Sequence, residues 1–352
     1  MQTHAMKALL GKSRCALLSI AAVLSIASAG AAAAEDWDQV KAAADAEGTV
    51  TFLHNVPGQG AEPLVADFNK EFPKIKVEQV RLASNAVNER FATEFAAGRH
   101  LWDVVFSVTN EQYLQGVKKD GWSLQWTPPE ISNFDPGFNH DGLYFTAQTS
   151  HEVLAWNKNL LSDAEAPKSW ADLMDPRFKG QVGMTSPWRT VTNSRLMYFI
   201  ENNLGIKDVA EKMKANDVRF FEGSGGVYQA LLRGDIKIAE ISDLINPMLA
   251  EGAPIGVLYP KEGTIMNEHV LFLAKNAPHP NAAKIFMNWL LSEKGQAALQ
   301  NYGGMISARK GSVAPSNLPA NSDIPNLVMG ETLLGEDQRQ IIVNHWREVF
   351  GQ

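Results

Sequence analysis

The sequence carries three short apolar segments in its first third, namely Thr49-Val-Thr-Phe-Leu53, Val77-Glu-Gln-Val-Arg-Leu82 and Asp103-Val-Val-Phe-Ser107. The segments between them have the spacing of amphipathic helices. In one of these, Val87, Phe91 and Phe95 recur every four residues, which is typical of one buried helix face. Strands that alternate with helices in this way predict a parallel sheet with right-handed crossovers.

The same alternation continues through the middle of the chain, which predicts a second α/β layer. Strands are expected at 181–185, 218–221, 236–241, 255–259 and 270–274, and helices at 190–203 and 227–233. The clearest helix follows, with its apolar residues on one face: Ala282, Ile285, Phe286, Trp289 and Leu290. A chain of 352 residues has the length of two domains rather than one small one.

The start of the chain has the order of a secretory signal peptide, with positive charges, an apolar run and then small residues. These parts are Lys7, Lys12 and Arg14, the run 16–29, and the alanines 31–34. The apolar run is shorter than the ~20 residues of a membrane-spanning helix. We therefore expect cleavage and export to the periplasm; the alternative is an uncleaved anchor.

Charge and cysteine content argue against several functional classes. Removing the three basic residues of the predicted signal takes the formal charge from −7 to −10, whereas nucleic-acid binding needs a basic face. The single cysteine, Cys15, lies in the predicted signal. The mature chain is therefore expected to lack disulfides, thiolate metal ligands and a cysteine nucleophile, which suits an oxidising compartment.

Several motifs occur in a specific order: Trp102–Ser107, Ala155–Lys158, Ser169–Leu173, Asp175–Gly180, Leu231–Asp235, Gly263–Asn267 and Ala277–Gln296. Together they resemble family 1 extracellular solute-binding proteins, the type II periplasmic binding proteins of ABC importers. The resemblance runs from about residue 47 to 310. It implies an α/β fold of two lobes, each a mainly parallel sheet flanked by helices, joined by two crossover strands with the ligand clamped between them.

The expected division of the chain follows from this resemblance. It comprises a signal peptide at 1–34, lobe 1 at 35–152 and 262–352, and lobe 2 at 153–261. Two stretches are the expected crossovers, His151–Asn157 and Gly256–Thr264. Ligand clefts in α/β proteins lie at the carboxyl ends of parallel strands, often between domains.

The resemblance also implies a function. It predicts a periplasmic substrate-binding subunit that captures a small solute by hinge closure and delivers it to an inner-membrane ABC permease. No catalytic step, cofactor, metal or nucleic acid is expected, and the default state is a monomer. A secreted enzyme on a similar fold and a sensor that presents its ligand to a receptor kinase are the alternatives from other classes.

Four strand-to-helix turns are the candidate ligand contacts, because free N–H groups and partial positive charge at helix starts suit anions. These turns supply Asn55 and Gly58; Ser107, Thr109 and Asn110; Ser186, Trp188, Arg189 and Thr190; and Ser224 and Gly225. Asp243 and Asn267, near the crossovers, complete the set. The alternative for each turn is an ordinary tight turn or a helix cap.

The leading expectation for the ligand is a small organic anion, such as a phosphonate, a sugar phosphate or a carboxylate. Arg189 is predicted to hold its anionic group in bidentate fashion, and Trp188 to pack against it. Ferric-iron and polyamine binding are the alternatives within the same fold. The ferric branch uses adjacent tyrosines, and the corresponding stretch 240–247 contains none; Glu240 and Asp243 could serve a polyamine.

Overall fold

The computed structural model describes residues 36–56, 61–245, 249, 251–313 and 318–352. The predicted signal peptide and Gly58 lie outside these residues, and so does part of the loop after the first strand. Within the described ranges, no helix is both long enough and apolar enough to cross a membrane.

The elements follow the predicted alternation of strands and helices. The strands are β1 (Thr49–His54), β2 (Lys76–Arg81), β3 (Val104–Val108), β4 (Asn139–His140), β5 (Tyr144–Asn157), β6 (Val182–Thr185), β7 (Arg219–Phe221), β8 (Ile238–Ser242), β9 (Ile255–Leu258), β10 (Thr264–Leu273), β11 (Ile306–Ser307) and β12 (Leu327–Met329). The helices are α1 (Trp37–Glu47), α2 (Ala61–Glu71), α3 (Ser84–Ala96), α4 (Glu111–Lys118), α5 (Val191–Tyr198), α6 (Val209–Ala215), α7 (Ser224–Arg233), α8 (Pro280–Leu291), α9 (Glu293–Gly303) and α10 (Glu336–Phe350).

A single long strand, β5, belongs to both α/β layers. The strand order along the sheet is β2-β1-β3-β10-β5-β8-β6-β7. The first half of β5 pairs antiparallel with β10, and its second half, from Glu152 to Asn157, pairs antiparallel with β8 and β9. All residues of β5 are buried. Strand β5 therefore joins two α/β lobes, as the sequence predicted for the first crossover.

The parallel arrangement predicted for the first three strands is confirmed. Strand β1 lies between β2 and β3 and runs parallel to both. The predicted apolar face of α8 covers this sheet, and Phe286 packs edge-on against Phe52 at 5.1 Å and against Phe68 at 4.9 Å between ring centroids. Full burial of such a side chain contributes about 1.5–3 kcal/mol.

The core of the second lobe forms around Trp170, which is fully buried with Leu154, Met184 and Ile238. The C-terminal helix α10 joins this core through Trp346, which is also fully buried. The expected division carried 262–352 with lobe 1, but α10 packs against α5 and α6 on lobe 2. The apolar residues of α10 are stabilised by burial in this core. The division of the whole chain into two lobes with the expected bounds stays a prediction.

Two elements differ from their expected bounds for a physical reason. Strand β10 begins at Thr264, well before the predicted start at residue 270. The prediction missed its first half because that half carries buried polar side chains such as Asn267 and Glu268. An apolar pattern does not reveal a strand of that kind. The helix expected over 190–203 is α5 followed by a wider helical turn, Phe199–Asn203.

Candidate functional site

The carboxyl ends of β1, β2 and β3 bring several predicted contacts to one edge of the first sheet. Asn55 donates through Nδ2 to Ser84 Oγ at 3.0 Å, and the hydroxyl of Ser107 donates to the carbonyl of Ser84 at 3.3 Å. Asn110 caps α4 by accepting from the Tyr113 N–H at 2.8 Å. These side chains share one edge of the sheet, and each has a structural hydrogen bond there.

Arg195 reaches this edge from the other lobe. It lies on α5, is 3% exposed, and donates through Nη2 to the carbonyl of Thr109 at 3.0 Å. Its Nη1 lies 3.4 Å from the Asn267 side-chain oxygen. Burial lowers the pKa of Arg195 to about 10, and nearby carboxylates oppose this shift. An arginine so buried requires partners that compensate its lost hydration.

Polar atoms around Arg195 lack partners among the described residues. These are Arg195 Nε and the hydroxyl of Thr109, which is fully buried. Buried polar atoms are usually hydrogen-bonded, so atoms of this kind indicate where a water or a ligand group binds. Thr109, one of the predicted contacts, therefore lies beside the strongest buried donor of the site.

A chain of hydrogen bonds leads from Asn267 into the region where the lobes join. Asn267 donates to Glu152 Oε1 at 2.8 Å, and Asn193 of α5 donates to Glu240 Oε2 at 2.5 Å. Glu152 and Glu240 are almost fully buried, and burial raises the pKa of both carboxyls. The neighbouring Glu152 raises the pKa of Glu240 further, whereas the hydrogen bond with Glu240 opposes the rise at Glu152. Glu240 therefore keeps a proton more readily than Glu152.

A second pair of carboxyl groups lies close by. Burial, together with neighbouring Glu268, raises the pKa of Glu331 to about 8. Burial opposes ionisation of Glu268 as well, but hydrogen bonds from His140, Glu331 and Thr146 outweigh it and lower the pKa of Glu268. The Thr146 hydroxyl donates to Glu268 Oε1 at 2.6 Å. Glu268 therefore carries the negative charge of this pair.

Asp243 is one of the predicted contacts, and the protein itself occupies its oxygens. It accepts from the His151 N–H at 2.8 Å and lies 2.7 Å from His151 Nδ1. The Tyr259 hydroxyl donates to it at 3.1 Å, and burial beside Asp243 raises the pKa of that hydroxyl. Asp243 thus ties the middle of β5 to the segment that follows β9.

The turns of the second lobe present the remaining predicted contacts. The Ser186 hydroxyl donates to the carbonyl of Phe221 at 3.4 Å, and Thr190 caps α5. Ser224 and Gly225 open helix α7 and are exposed. A Cβ at Gly225 would meet nothing within 4 Å, so the backbone there is open to an approaching group.

Arg189 and Trp188 lie apart from Arg195. Arg189 pairs with Glu222 at 2.8 Å, with 49% of its side chain exposed. Trp188 packs against Phe220, with ring centroids 5.1 Å apart, and both residues line an open cavity of about 500 Å³ beside the chain's C-terminal end. The cationic group buried at the lobe junction is therefore Arg195, six positions beyond the one selected from the sequence.

Arg195, Glu152 and Glu331 escaped the sequence-based selection. Arg195 stands between Ser194 and Leu196, both buried, and Glu152 stands in a strand whose residues are all buried. A charged residue inside a buried element is the signal that could have found them, because such residues are rarely buried unless paired. The described residues contain no group of three or more His, Cys, Asp and Glu arranged to hold a metal ion.

The fold and the strand-end site define a two-lobed α/β binding protein, and the comparison with known families agrees. Residues 63–326 match the family of bacterial extracellular solute-binding proteins, so the chain belongs to that family. The resemblance seen in the sequence motifs and the predicted fold class are both confirmed.

A curated relative from Salmonella typhi, named "Putative 2-aminoethylphosphonate-binding periplasmic protein", is 24% identical over 187 residues, which cover 50% of this chain and 55% of the relative. The chain spans about half the length of the curated relatives it matches.

Solved structures share the fold over a larger part of the chain. Iron-bound HitA from Pseudomonas aeruginosa superposes with a TM-score of 0.72 at 18% identity, covering 86% of this chain and 99% of that one. AfuA from Actinobacillus pleuropneumoniae, with fructose-6-phosphate bound, gives 0.71 at 16% identity, covering 86% and 98%. At these identities the likeness shows the fold alone.

Proposed function

We propose that this chain is the periplasmic substrate-binding subunit of an ABC importer. In this proposal it captures a small solute between its lobes, releases it unaltered, and docks on a permease of the inner membrane. Membership of the solute-binding family supports the class. The observation that carries the proposal is Arg195, a buried cation of one lobe that hydrogen-bonds to Thr109 at a strand end of the other.

The way in which the lobes are joined supports hinge closure. Strand β5 is continuous through both sheets, so the lobes can rotate only about β5 and the other connecting segments. A solute that contacts Thr109 on one side and Arg195 on the other binds the closed arrangement better than the open one. Its binding energy then shifts the population toward closure.

The ligand class we propose is a small organic anion. Arg195 is the buried cation of the site, and its Nε and the Thr109 hydroxyl lack partners among the described residues. A guanidinium matches the geometry of carboxylate and phosphate oxygens. The exposed start of α7, at Ser224 and Gly225, offers further N–H groups to an anion. Among the similar proteins, one is named as a putative 2-aminoethylphosphonate-binding protein, and another was solved with fructose-6-phosphate bound.

A second candidate is a ligand that carries an amine. Buried carboxyl groups surround the lobe junction, and at least Glu268 is held ionised. Asp243 and Glu240, which the sequence suggested for a polyamine, are both about 1% exposed. An ionised Glu268 attracts an amine, so this candidate is a cation, or a zwitterion whose amine faces Glu268 while its anionic group meets Arg195.

A thermal-shift screen of the purified protein tests the proposal. The panel contains 2-aminoethylphosphonate, fructose-6-phosphate, citrate, spermidine and ferric ion. A ligand at a hundredfold excess over its dissociation constant stabilises the native state by about 2.7 kcal/mol, which raises the melting temperature measurably. Mass spectrometry of the recovered solute then distinguishes binding from catalysis, because a chemically changed solute would overturn the transport assignment.

The proposed partners and location can be examined separately. We propose a periplasmic monomer, which light scattering would report as a mass of one chain. Antibody detection after osmotic release of the periplasm tests the location. Co-purification with a membrane permease in the presence of the solute tests the docking step.

A further inference from the structure

A concave surface on lobe 2 lies away from the predicted ligand contacts. It has a volume of about 730 Å³ and is formed by the end of β5, by β9, and by the segment around Ala166, Pro167 and Lys168. None of the contacts predicted from the sequence lines it. Its volume falls within the range of about 300–1,000 Å³ found for small-molecule sites.

Trp156 forms one wall of this cavity and has an unsatisfied donor. The residue is 9% exposed, and its indole Nε1 has no hydrogen-bond partner in the described part of the chain. Gly256 is its cross-strand neighbour on β9, and a Cβ at that position would overlap the indole ring. The glycine thus lets the ring lie directly on the strand and form part of the cavity wall.

Lysines surround the same cavity. Lys158, Lys168 and Lys261 are exposed lining residues, and their ammonium groups make no hydrogen bond or ion pair within the described ranges. Asp163 is the acidic residue among the described lining side chains. The full chain has a formal charge of −7, so this local excess of positive charge runs against the average of the surface.

Part of the cavity surface is apolar. Ala166, Pro167, Val257 and Leu258 are among its lining residues. We propose that this cavity is a second binding site, which takes a small organic anion with an apolar body. The body packs on Trp156 and the apolar lining residues, and the anionic head lies among the lysines. This site is independent of the solute proposed for the lobe junction.

The test uses two matched fluorescent probes and the purified protein. 8-Anilinonaphthalene-1-sulfonate has an aromatic body and an anionic head, and N-phenyl-1-naphthylamine has the same kind of body without charge. We expect saturable binding of the sulfonate at one site per chain. The K158Q/K168Q/K261Q variant should bind it about tenfold more weakly, as loss of several partly exposed charge contacts would produce. The control K119Q/K207Q/K275Q, exposed lysines elsewhere, should bind like the wild type.

The indole N–H resonances in NMR spectra show where the probe binds. The signal that disappears in Trp156→Phe identifies Trp156, and we expect that signal to move when the sulfonate is added to the wild type. Circular dichroism and melting temperature report whether each variant is folded, and the lysine variant keeps the core intact.

Three outcomes would overturn the proposal: equal affinity of both lysine variants, equal affinity for the neutral probe, or a Trp156 resonance that does not move. Movement of that resonance with a polyglutamate peptide but not with the sulfonate would also overturn it, in favour of a protein partner.

Discussion

Arg195, on helix α5 of the second lobe, donates through Nη2 to the main-chain carbonyl of Thr109 at the end of β3 in the first lobe, at 3.0 Å. This hydrogen bond connects the lobes through a cation that is almost fully buried. Arg195 and Thr109 lie on opposite lobes and are already in contact. They are therefore well placed to bind the same solute.

Replacing Arg195 by glutamine should abolish or greatly weaken ligand binding. Loss of a buried charged hydrogen-bond partner typically costs about 2–5 kcal/mol of binding, or at least about thirtyfold in affinity. The matched control is Arg189→Gln, on the same segment but exposed and paired with Glu222. Isothermal titration with the solute identified by thermal shift measures both.

The opposite pattern is equally informative. If R189Q lost binding and R195Q kept it, the anion contact predicted from the sequence would be correct, and the role given to Arg195 would be wrong. Arg195→Lys keeps the charge but not the fork of donors, so an intermediate affinity is expected for that variant.

Trp346→Ala should destabilise the protein, because α10 completes the core of the second lobe. Removing a fully buried tryptophan side chain leaves a cavity and costs about 3–5 kcal/mol. Ile341→Ala on the same helix is the control, since Ile341 is 69% exposed. Urea unfolding measures both variants; equal stabilities would show that α10 does not belong to this core.

Glu331→Gln should flatten the pH dependence of stability above pH 5. Burial beside Glu268 raises the pKa of Glu331 to about 8, so the folded chain keeps a proton that the unfolded chain has already lost. The resulting stability is present below pH ~4.5 and is lost as the pH rises toward 8. Unfolding free energies at pH 5 and pH 8 should differ by about 3–4 kcal/mol less in the variant. Exposed Glu62→Gln is the control, and an unchanged difference in E331Q contradicts this account.

His269→Gln should flatten the acid side of the same profile. Burial lowers the pKa of His269 to about 4, so the unfolded chain binds the proton first as the pH falls. Stability is therefore lost between pH ~6.5 and 4, by up to about 1.4 kcal/mol per pH unit for one histidine. His345→Gln, whose side chain is 43% exposed, serves as the control. Parallel slopes for wild type and H269Q would exclude this contribution.

The fold was largely predictable where the strands are apolar, as in β1 and β3, and where a helix has one apolar face. The segment from Thr49 to Ser107 gave the correct parallel layer, and the helix around Phe286 gave the correct buried face. Periodicity is a local signal, so it reports burial along one element well.

The site was harder to predict, because it depends on contacts across long stretches of the chain. Arg195 meets Thr109 and Asn267, which are 86 and 72 positions away. Arg189 and Arg195 both lie near the start of one helix, and only the packing of that helix determines which one is buried. Glu331 lies beside Glu268 in the structure, but the sequence around Glu331 carries no motif that predicts this contact. Side-chain chemistry therefore pointed to the strand-end turns, and which of them contact the solute stays a prediction.

The central claim is that a solute closes the two lobes, and a distance across the cleft tests it most directly. Cysteines at Gln112 on α4 and at Lys207 before α6, both exposed, accept a donor and an acceptor dye on opposite lobes. We expect single-molecule energy transfer to show two populations that exchange, with the higher-efficiency one growing as the solute is titrated. A solute that binds at the junction and leaves this distribution unchanged would contradict capture by hinge closure.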